Sequence, residues 1–229
     1  MSSTPTRRPY TFAIANAFTQ DPFGGNPAAI IFLEPSNTLT QEERLKFAKG
    51  FNQPVIVFLT PTSAAAGKPG VVSFDIQYFA PTSEVRLCGH GTIAAMKIIL
   101  DSATESSGFG RNSQFPAFSS PETHTAEFTT VDGVVVSARK VAIPDEVSSE
   151  AGDWFEIVLP AGRPRALPAE EEERVVGIFA RAVGKEPKVK YVGIGEPPFQ
   201  GSLLIVLDES EMLEQLNIDA KVLVSKIRA

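Results

Sequence analysis

Two residues that can exchange protons lie close together near the middle of the chain. Cys88 is the only cysteine in the sequence, and His90, one of two histidines, follows two residues later. Both belong to the stretch "EVRLCGHGTIAAMKIIL", which runs from residue 84 to residue 100. A thiol beside an imidazole is suited to nucleophilic or acid/base chemistry. The alternative is that Cys88 is a small buried residue and that the neighbouring glycines only form a tight turn into a buried helix.

The residues after Cys88 predict a helix start that binds anions. Gly89 and Gly91 let a ligand approach the backbone, and the first amides of a helix beginning near His90 have no partners within that helix. The positive end of a buried helix is poorly screened, so we expect a carboxylate to bind at residues 89–92. The same positive end is expected to lower the pKa of Cys88 if the thiol faces it.

The elements that position this turn can be predicted from the first hundred residues. Apolar runs with β-branched and aromatic residues predict strands. The predicted strands cover residues 10–18, 28–33, 55–59 and 71–79. The segment "TQDPFGGNP" joins the first two as a hairpin, and Thr40 and Glu43 have the capping-box spacing that begins a short amphipathic helix. Residues 93–100 are apolar nearly all round, which predicts a helix buried on every side.

The second part of the chain predicts a further set of strands and helices. Residues 101–122 are rich in Ser, Gly, Phe and Pro and carry no periodicity, so we place a long loop and a domain boundary there. The two predicted domains cover residues 1–105 and 120–229. The strands predicted in the second are "AEFTTV", "VVVSAR", "WFEIVL" and "SLLIVL", with a helix over residues 170–183 and two short helices near residues 210 and 219. Strands followed by a helix in both halves favour an α+β fold over a doubly wound parallel sheet.

Composition and charge exclude several classes of function. A net charge of −6, with one basic pair at Arg7 and Arg8, argues against a nucleic-acid partner. The spacing of Cys88, His90 and His124 is not that of a zinc site, so we expect no metal and no other cofactor. No apolar stretch approaches the roughly 18 residues of a membrane span. We therefore expect a cytoplasmic protein without a membrane partner that acts on a small molecule.

Two long motifs in this order resemble those of the phenazine-biosynthesis PhzF-like family, whose members are related to diaminopimelate epimerase. The motifs are "NAFTQDPFGGNPAAIIF" and "FDIQYFAPTSEVRLCGHGTIAA". The resemblance implies a diaminopimelate epimerase-like fold of two similar α+β halves, each with mixed sheet around a central helix and with the active site between them. It also implies a cofactor-independent isomerase or epimerase that moves a proton next to a carboxylate or carbonyl.

The resemblance also implies roles for individual residues. In relatives with epimerase chemistry, the cysteine before the first glycine of the helix turn is a catalytic base, which is Cys88 here. In the PhzF branch, the histidine of this turn contacts the substrate, which is His90 here. The other candidate substrate-binding residues are Gly89, Gly91, Thr92, Asn26 and Asn52.

Two departures from the family pattern change the expected chemistry. The PhzF branch has an Asn-x-Ser-Glu-Thr segment whose glutamate carries the proton, whereas this chain reads "NQPVIVF" from residue 52. Val55 stands at the glutamate position and cannot accept or donate a proton, and Pro54 replaces the serine. The chain also ends at "KVLVSKIRA" before the family's second glycine-rich turn, so we expect the second half to be incomplete and the protein to form a homodimer.

Three kinds of function remain open from the sequence. The first is an isomerase or cyclase of a small carboxylate- or carbonyl-bearing metabolite, which we place in secondary metabolism. One variant needs no base and closes a polyene by orientation alone, which can recover roughly 7–11 kcal/mol. The second is a catalytically degenerate binding protein, and the third is a subunit completed by a partner chain. We favour the first, with His90 orienting the substrate and Cys88 structural.

Overall fold

The strands predicted before residue 80 pair with those predicted after residue 122 to form one mixed sheet. The computed structural model describes residues 10–21, 23–36, 39–102, 122–142, 153–196 and 202–227. The strands of this sheet are β1 (Thr11–Ala17), β2 (Asn26–Phe32), β3 (Val55–Thr62), β4 (Val71–Phe79), β5 (Glu84–Val85), β6 (Thr125–Thr130), β7 (Val135–Val141) and β8 (Trp154–Val158). Their order is β1-β2-β3-β4-β6-β7-β8, and the short β5 pairs with β4. The β2–β3 and β4–β6 pairs are parallel, and the other pairs are antiparallel.

Two helices, α1 (Gln41–Phe51) and α2 (Gly89–Asp101), lie against opposite faces of this sheet. Successive strand residues point to opposite faces, so one strand contributes to two cores. In β2 and the residue after it, Ala28, Ile30 and Phe32 join the core around α2, whereas Ala29, Ile31 and Leu33 join the core beneath α1. The nearly continuous apolar run of this strand is therefore required on both sides.

The helix α2 is the centre of the larger core. It packs against β1, β2 and β3 near one end of the strand order and against β7 and β8 at the other end, so the sheet curls around it. Its buried residues are Gly91, Thr92, Ala94, Ala95, Met96, Ile98 and Ile99. Ile93, Lys97 and Leu100 are partly exposed, so the helix is buried on most sides rather than on every side as predicted.

The helix α1 has the capping box that the sequence predicts. The backbone N–H of Thr40 donates to Glu43 Oε2 at 2.8 Å, and the backbone N–H of Glu43 donates to Thr40 Oγ1 at 3.2 Å. The helix ends at Asn52, whose φ of 51° is left-handed and whose N–H donates to the Ala48 carbonyl at 3.1 Å. Asparagine tolerates this conformation better than most residues, which explains the sharp stop before β3.

A second unit contains a three-stranded sheet and two helices. Its elements are β9 (Arg165–Ala166), α3 (Ala169–Val183), β10 (Val189–Ile194), β11 (Leu203–Leu207), a 3₁₀ turn (Leu213–Gln215) and α4 (Ala220–Ile227). The strand order is β11-β10-β9, and α3 packs against β10 and α4. The helix α3 ends at Gly184 in the left-handed conformation, with a φ of 74°. None of the helices among the described residues has the length and apolar character needed to cross a membrane.

The division of the chain differs from the predicted one. The compact units cover residues 1–160 and 161–229 rather than 1–105 and 120–229. The reason is that β6 and β7 bring Ala126, Phe128, Val136 and Ala138 into the core around α2, so these strands extend the first sheet. Most of the predicted linker, residues 103–121, lies outside the described residues. The strands β9 and β10 were not predicted, since β9 is short and β10 contains lysine and glycine.

Candidate active site at the start of the central helix

The first turn of α2 has no side chain capping it. Cys88 is the N-cap residue, with φ −141° and ψ 104°, and its side chain makes no capping hydrogen bond. The first backbone bond of the helix runs from the Thr92 N–H to the Cys88 carbonyl at 3.0 Å. The amides of Gly89, His90 and Gly91 therefore have no acceptor within the helix. A helix start without a side-chain cap can bind an anion, so the predicted anion site stays a prediction at this turn.

Cys88 and His90 are in direct contact across this turn. Cys88 Sγ lies 3.2 Å from His90 Nδ1. Burial raises the pKa of the Cys88 thiol, and it lowers the pKa of the His90 imidazole. Both effects favour the uncharged forms, and the His90 tautomer with its single ring proton on Nε2 leaves Nδ1 to accept from the Cys88 thiol. The two residues that the sequence placed two positions apart thus form one hydrogen-bonded pair.

The environment of Cys88 corrects one prediction. The sequence suggested that the positive helix end would lower the thiol pKa, but burial dominates and the pKa of Cys88 is raised. The backbone amides of Gly91 and His90 oppose this rise, although neither forms a capping hydrogen bond with the sulfur. The thiol is therefore protonated at rest and needs a proton acceptor to become reactive, and His90 Nδ1 is in place to accept.

The second ring nitrogen of His90 is enclosed. Nε2 is buried and has no hydrogen-bond partner within the described part of the chain. The Pro27 carbonyl lies near the ring and opposes the lowering of the His90 pKa by burial. A buried donor without a good acceptor is unfavourable, and a ligand oxygen would relieve it.

Thr92 has a different environment from the one expected of a substrate contact. It is 0% exposed, and its hydroxyl donates to the Cys88 carbonyl at 2.9 Å. Its Oγ1 lies 2.7 Å from the hydroxyl of Tyr78, which is 1% exposed. The structure therefore brings Tyr78 on β4 into the site, which the sequence reading missed. The sequence offers only a weak signal for this pair, because Tyr78 shares β4 with Ser73, Asp75 and Gln77, and the need of a buried hydroxyl for a partner appears only once burial is known.

Val55, which the sequence resemblance places where a glutamate is expected, borders the same turn. It is 2% exposed and belongs to the core around α2. A Cβ added to Gly91 would lie 3.3 Å from Val55 Cγ1 and 3.4 Å from Cys88 Sγ. The side chain of residue 55 therefore borders the first turn of α2, but it offers only methyl groups. Among the candidates in this turn, the titratable groups are Cys88 and His90.

Asn26 and Asn52 lie at the starting ends of two neighbouring parallel strands, β2 and β3. Asn26 begins β2 immediately before Pro27, and it is partly buried. Asn52 is exposed and ends α1. Because Ala28 pairs with Val55 in the parallel β2–β3 pair, both asparagines lie at the same end of these two strands. Asn26 is thus close in sequence to the residue that neighbours the His90 ring, whereas the backbone of Asn52 has an evident structural role in the turn.

A groove runs along α2 beyond this turn. Its volume is about 810 Å³, and its floor is formed by Ile93, Ala94 and Lys97. These residues follow His90 by three, four and seven positions, so they continue the same face of the helix. The walls come from residues 15–20 at the end of β1 and residues 153–155 at the start of β8. Across the residues that the structure describes, no three His, Cys, Asp or Glu side chains group in a way that could hold a metal ion.

Residues 15–228 match the family model described as phenazine biosynthesis-like protein. The chain belongs to this family. An uncharacterized isomerase of Halalkalibacterium halodurans is 25% identical over 204 residues, which cover 89% of this chain and 59% of that protein. The phenazine biosynthesis-like domain-containing protein of Homo sapiens is 36% identical over 86 residues, which cover 38% of this chain and 29% of that protein. The matches thus span less than two thirds of the length of these relatives.

Solved structures give the same assignment for the fold. A PhzF-family protein of Enterococcus faecalis has a TM-score of 0.56 at 20% identity, and the match covers 93% of this chain and 63% of that one. A predicted epimerase of Pseudomonas aeruginosa has a TM-score of 0.55 at 15% identity, with 96% and 67% covered. The prediction of an α+β, diaminopimelate epimerase-like fold is confirmed.

Proposed function

We propose that this protein is an isomerase that moves a proton within a small metabolite carrying a carboxylate or carbonyl group, without a cofactor. The observation that carries the proposal is the 3.2 Å contact between Cys88 Sγ and His90 Nδ1 at the uncapped start of α2. Relatives named as uncharacterized isomerases support the reaction class. The cytoplasmic location, the homodimer and the place in secondary metabolism stay predictions.

The free amides of the first turn supply the binding part of this proposal. A carboxylate of the substrate would accept hydrogen bonds from the backbone around Gly89, and the helix dipole favours its charge. Anion binding here needs no side chain, because the amides of a helix start are already aligned. The enclosed Nε2 of His90 would donate to a carbonyl or carboxylate oxygen and so gain the partner it lacks.

The Cys88–His90 pair supplies the proton transfer. The Cys88 thiol gives its proton to His90 Nδ1, and the resulting thiolate takes the proton from the substrate carbon next to the carboxylate or carbonyl. His90 gives the proton on Nε2 to the substrate, at the oxygen or carbon where the electron pair is then placed. At the end Cys88 is protonated again, and the substrate has lost one proton and gained one. The single ring proton of His90 is now on Nδ1 instead of Nε2, and proton exchange with solvent restores the starting tautomer.

This scheme replaces the expectation that Cys88 is only structural. In the PhzF branch a glutamate carries the proton, and Val55 removes that route here. The 3.2 Å contact between Cys88 Sγ and His90 Nδ1 supports a role for the thiol, because a thiol that donates to Nδ1 favours the His90 tautomer with its proton on Nε2. We therefore assign the base to Cys88 and the donor to His90.

A ligand screen followed by turnover tests this function. Purified protein is heated with small carboxylates and carbonyl compounds, and a ligand at 100 times its dissociation constant stabilises the fold by about 2.7 kcal/mol. Compounds that stabilise the protein are then incubated with it and analysed for isomers. We expect isomerisation of at least one such compound by the parent and loss of it in Cys88→Ala. Stabilising ligands that are never converted would show a binding protein instead.

A further inference from the structure

A chain of hydroxyl groups connects the sheet to the start of α2. We propose that Tyr78 is a positioning residue for the candidate active site, holding the Cys88 carbonyl through Thr92 and so keeping the thiol against His90. The proposal rests on the proposed function only in taking Cys88 and His90 as the working groups. The hydrogen bonds of this chain are Tyr78 Oη to Thr92 Oγ1 at 2.7 Å and Thr92 Oγ1 to Cys88 O at 2.9 Å.

The direction of the chain follows from the chemistry of its last acceptor. A carbonyl oxygen only accepts, so the single hydroxyl proton of Thr92 goes to the Cys88 carbonyl. Thr92 Oγ1 then has no proton left for Tyr78, and the Tyr78 hydroxyl must be the donor. Both side chains are almost fully buried, so bulk water does not compete for their hydrogen bonds. Tyr78 lies on β4, which makes the sheet the support for this turn.

The hydrogen bonds to the Cys88 carbonyl restrain the backbone that carries the thiol. It accepts the Thr92 backbone N–H at 3.0 Å as well as the Thr92 hydroxyl, so two bonds hold one peptide group. The Cys88 side chain makes no capping bond of its own. Its direction therefore depends on the backbone conformation of residue 88, which these two bonds hold, and on the contact with His90.

The Tyr78 hydroxyl does not titrate near neutral pH. Burial raises the pKa of Tyr78 well above its ordinary value of 10.0, so the hydroxyl keeps its proton and remains a donor. The Thr92 hydroxyl does not ionise at all. The positioning chain is thus constant over the range in which Cys88 and His90 change charge.

Alkylation of Cys88 tests the proposal without any substrate. The protein has one cysteine, so the rate of reaction with iodoacetamide reports this thiol alone. Thr92→Val keeps the shape and removes the hydroxyl, and we expect the folded variant to react about tenfold faster as the turn opens. Tyr78→Phe leaves the Thr92–Cys88 bond in place, so we expect about threefold. Thr92→Ser keeps the hydroxyl and is expected to stay within about twofold of the parent.

Matched variants elsewhere separate positioning from general loss of stability. Thr130 is a buried threonine whose Oγ1 accepts the Val134 N–H at 3.2 Å, and Tyr191 donates to the Pro164 carbonyl at 2.8 Å. Thr130→Val and Tyr191→Phe each remove a hydroxyl far along the sequence from Cys88, and we expect unchanged alkylation. Unfolding free energies measured for every variant give the rate that global opening alone would produce.

The outcomes are decisive in either direction. Acceleration in Thr92→Val and Tyr78→Phe beyond the rate from global opening, with Thr92→Ser near the parent, supports the positioning role. Parent-like alkylation in Tyr78→Phe, or equal acceleration in Thr130→Val, overturns it. If Thr92→Val does not fold, Tyr78→Phe against Tyr191→Phe decides alone. The alkylation rates need no substrate, so they test the positioning role even if no turnover is found. The proposed function is tested separately, by turnover.

Discussion

The starts of the two helices in the first unit are built in opposite ways. The start of α1 is closed by the side chains of Thr40 and Glu43, which satisfy the free backbone donors and face solvent. The start of α2 is enclosed by the curled sheet and has no side-chain cap at Cys88. A cap at Thr40 serves stability, whereas its absence at Cys88 leaves donors and a thiol available. Two helices of one unit thus begin differently, and only the start of α2 leaves backbone donors to the ligand that we propose.

The core next to α2 should reject a charge that the surface accepts. Val55→Glu would place a carboxylate at a residue that is 2% exposed, and we expect a loss of roughly 3 kcal/mol of unfolding free energy at neutral pH. Val135→Glu, on a strand position 59% exposed, should change it by less than about 0.5 kcal/mol. Urea unfolding measures both. A loss below about 1 kcal/mol for Val55→Glu would mean that residue 55 reaches solvent and that the turn is open there.

The two glycines of the α2 turn should respond differently to a methyl group. A Cβ on Gly91 would lie 2.9 Å from Val57 Cγ2, so Gly91→Ala should cost roughly 1–3 kcal/mol. A Cβ on Gly89 meets only Ile157 Cδ1 at 3.5 Å, so Gly89→Ala should be neutral or stabilise by up to about 1 kcal/mol. Thermal unfolding compares them. Equal costs would contradict the packing of Gly91.

The cap of α1 should affect stability alone. Thr40→Ala removes a capping box and should cost about 1 kcal/mol, whereas Thr40→Ser keeps the hydroxyl and should cost much less. Neither change should alter the rate at which Cys88 is alkylated. A changed alkylation rate in Thr40→Ala would show that the two helix starts are coupled.

The pH dependence of stability should carry the signature of the Cys88–His90 pair. Burial lowers the pKa of His90 below 6.5, so the unfolded chain binds a proton first and stability falls as pH drops below that value. Burial raises the pKa of Cys88 above 9.0, so the folded protein keeps this proton longer and stability falls as pH rises above that value. Denaturant unfolding of the parent, His90→Gln and Cys88→Ala across this range checks both limbs. A parent curve unchanged by either substitution would contradict the buried neutral pair.

More of the fold than of the candidate site could be predicted from the sequence. The period of the apolar residues predicts β1 to β4, α1 and α2, because alternation and burial on every side leave distinct patterns. Which strands pair with each other depends on residues far apart in the sequence, and local patterns do not reveal it. The pairing of β6 with β4, and the boundary between the two units near residue 160, were therefore not predicted. The adjacency of Cys88 and His90 was visible in the sequence, but the direction of the thiol pKa depends on burial that only the packed sheet creates.

Solvent deuterium incorporation tests the central claim that the uncapped turn of α2 transfers protons. The metabolite that stabilises the protein most is incubated with it in D₂O, and the product is analysed by mass spectrometry. We expect deuterium at the carbon next to the carboxylate or carbonyl, a loss of about 10²–10⁴-fold in rate in His90→Ala, and no loss in Thr40→Ala. Product that forms without deuterium, or incorporation that survives His90→Ala unchanged, would contradict it.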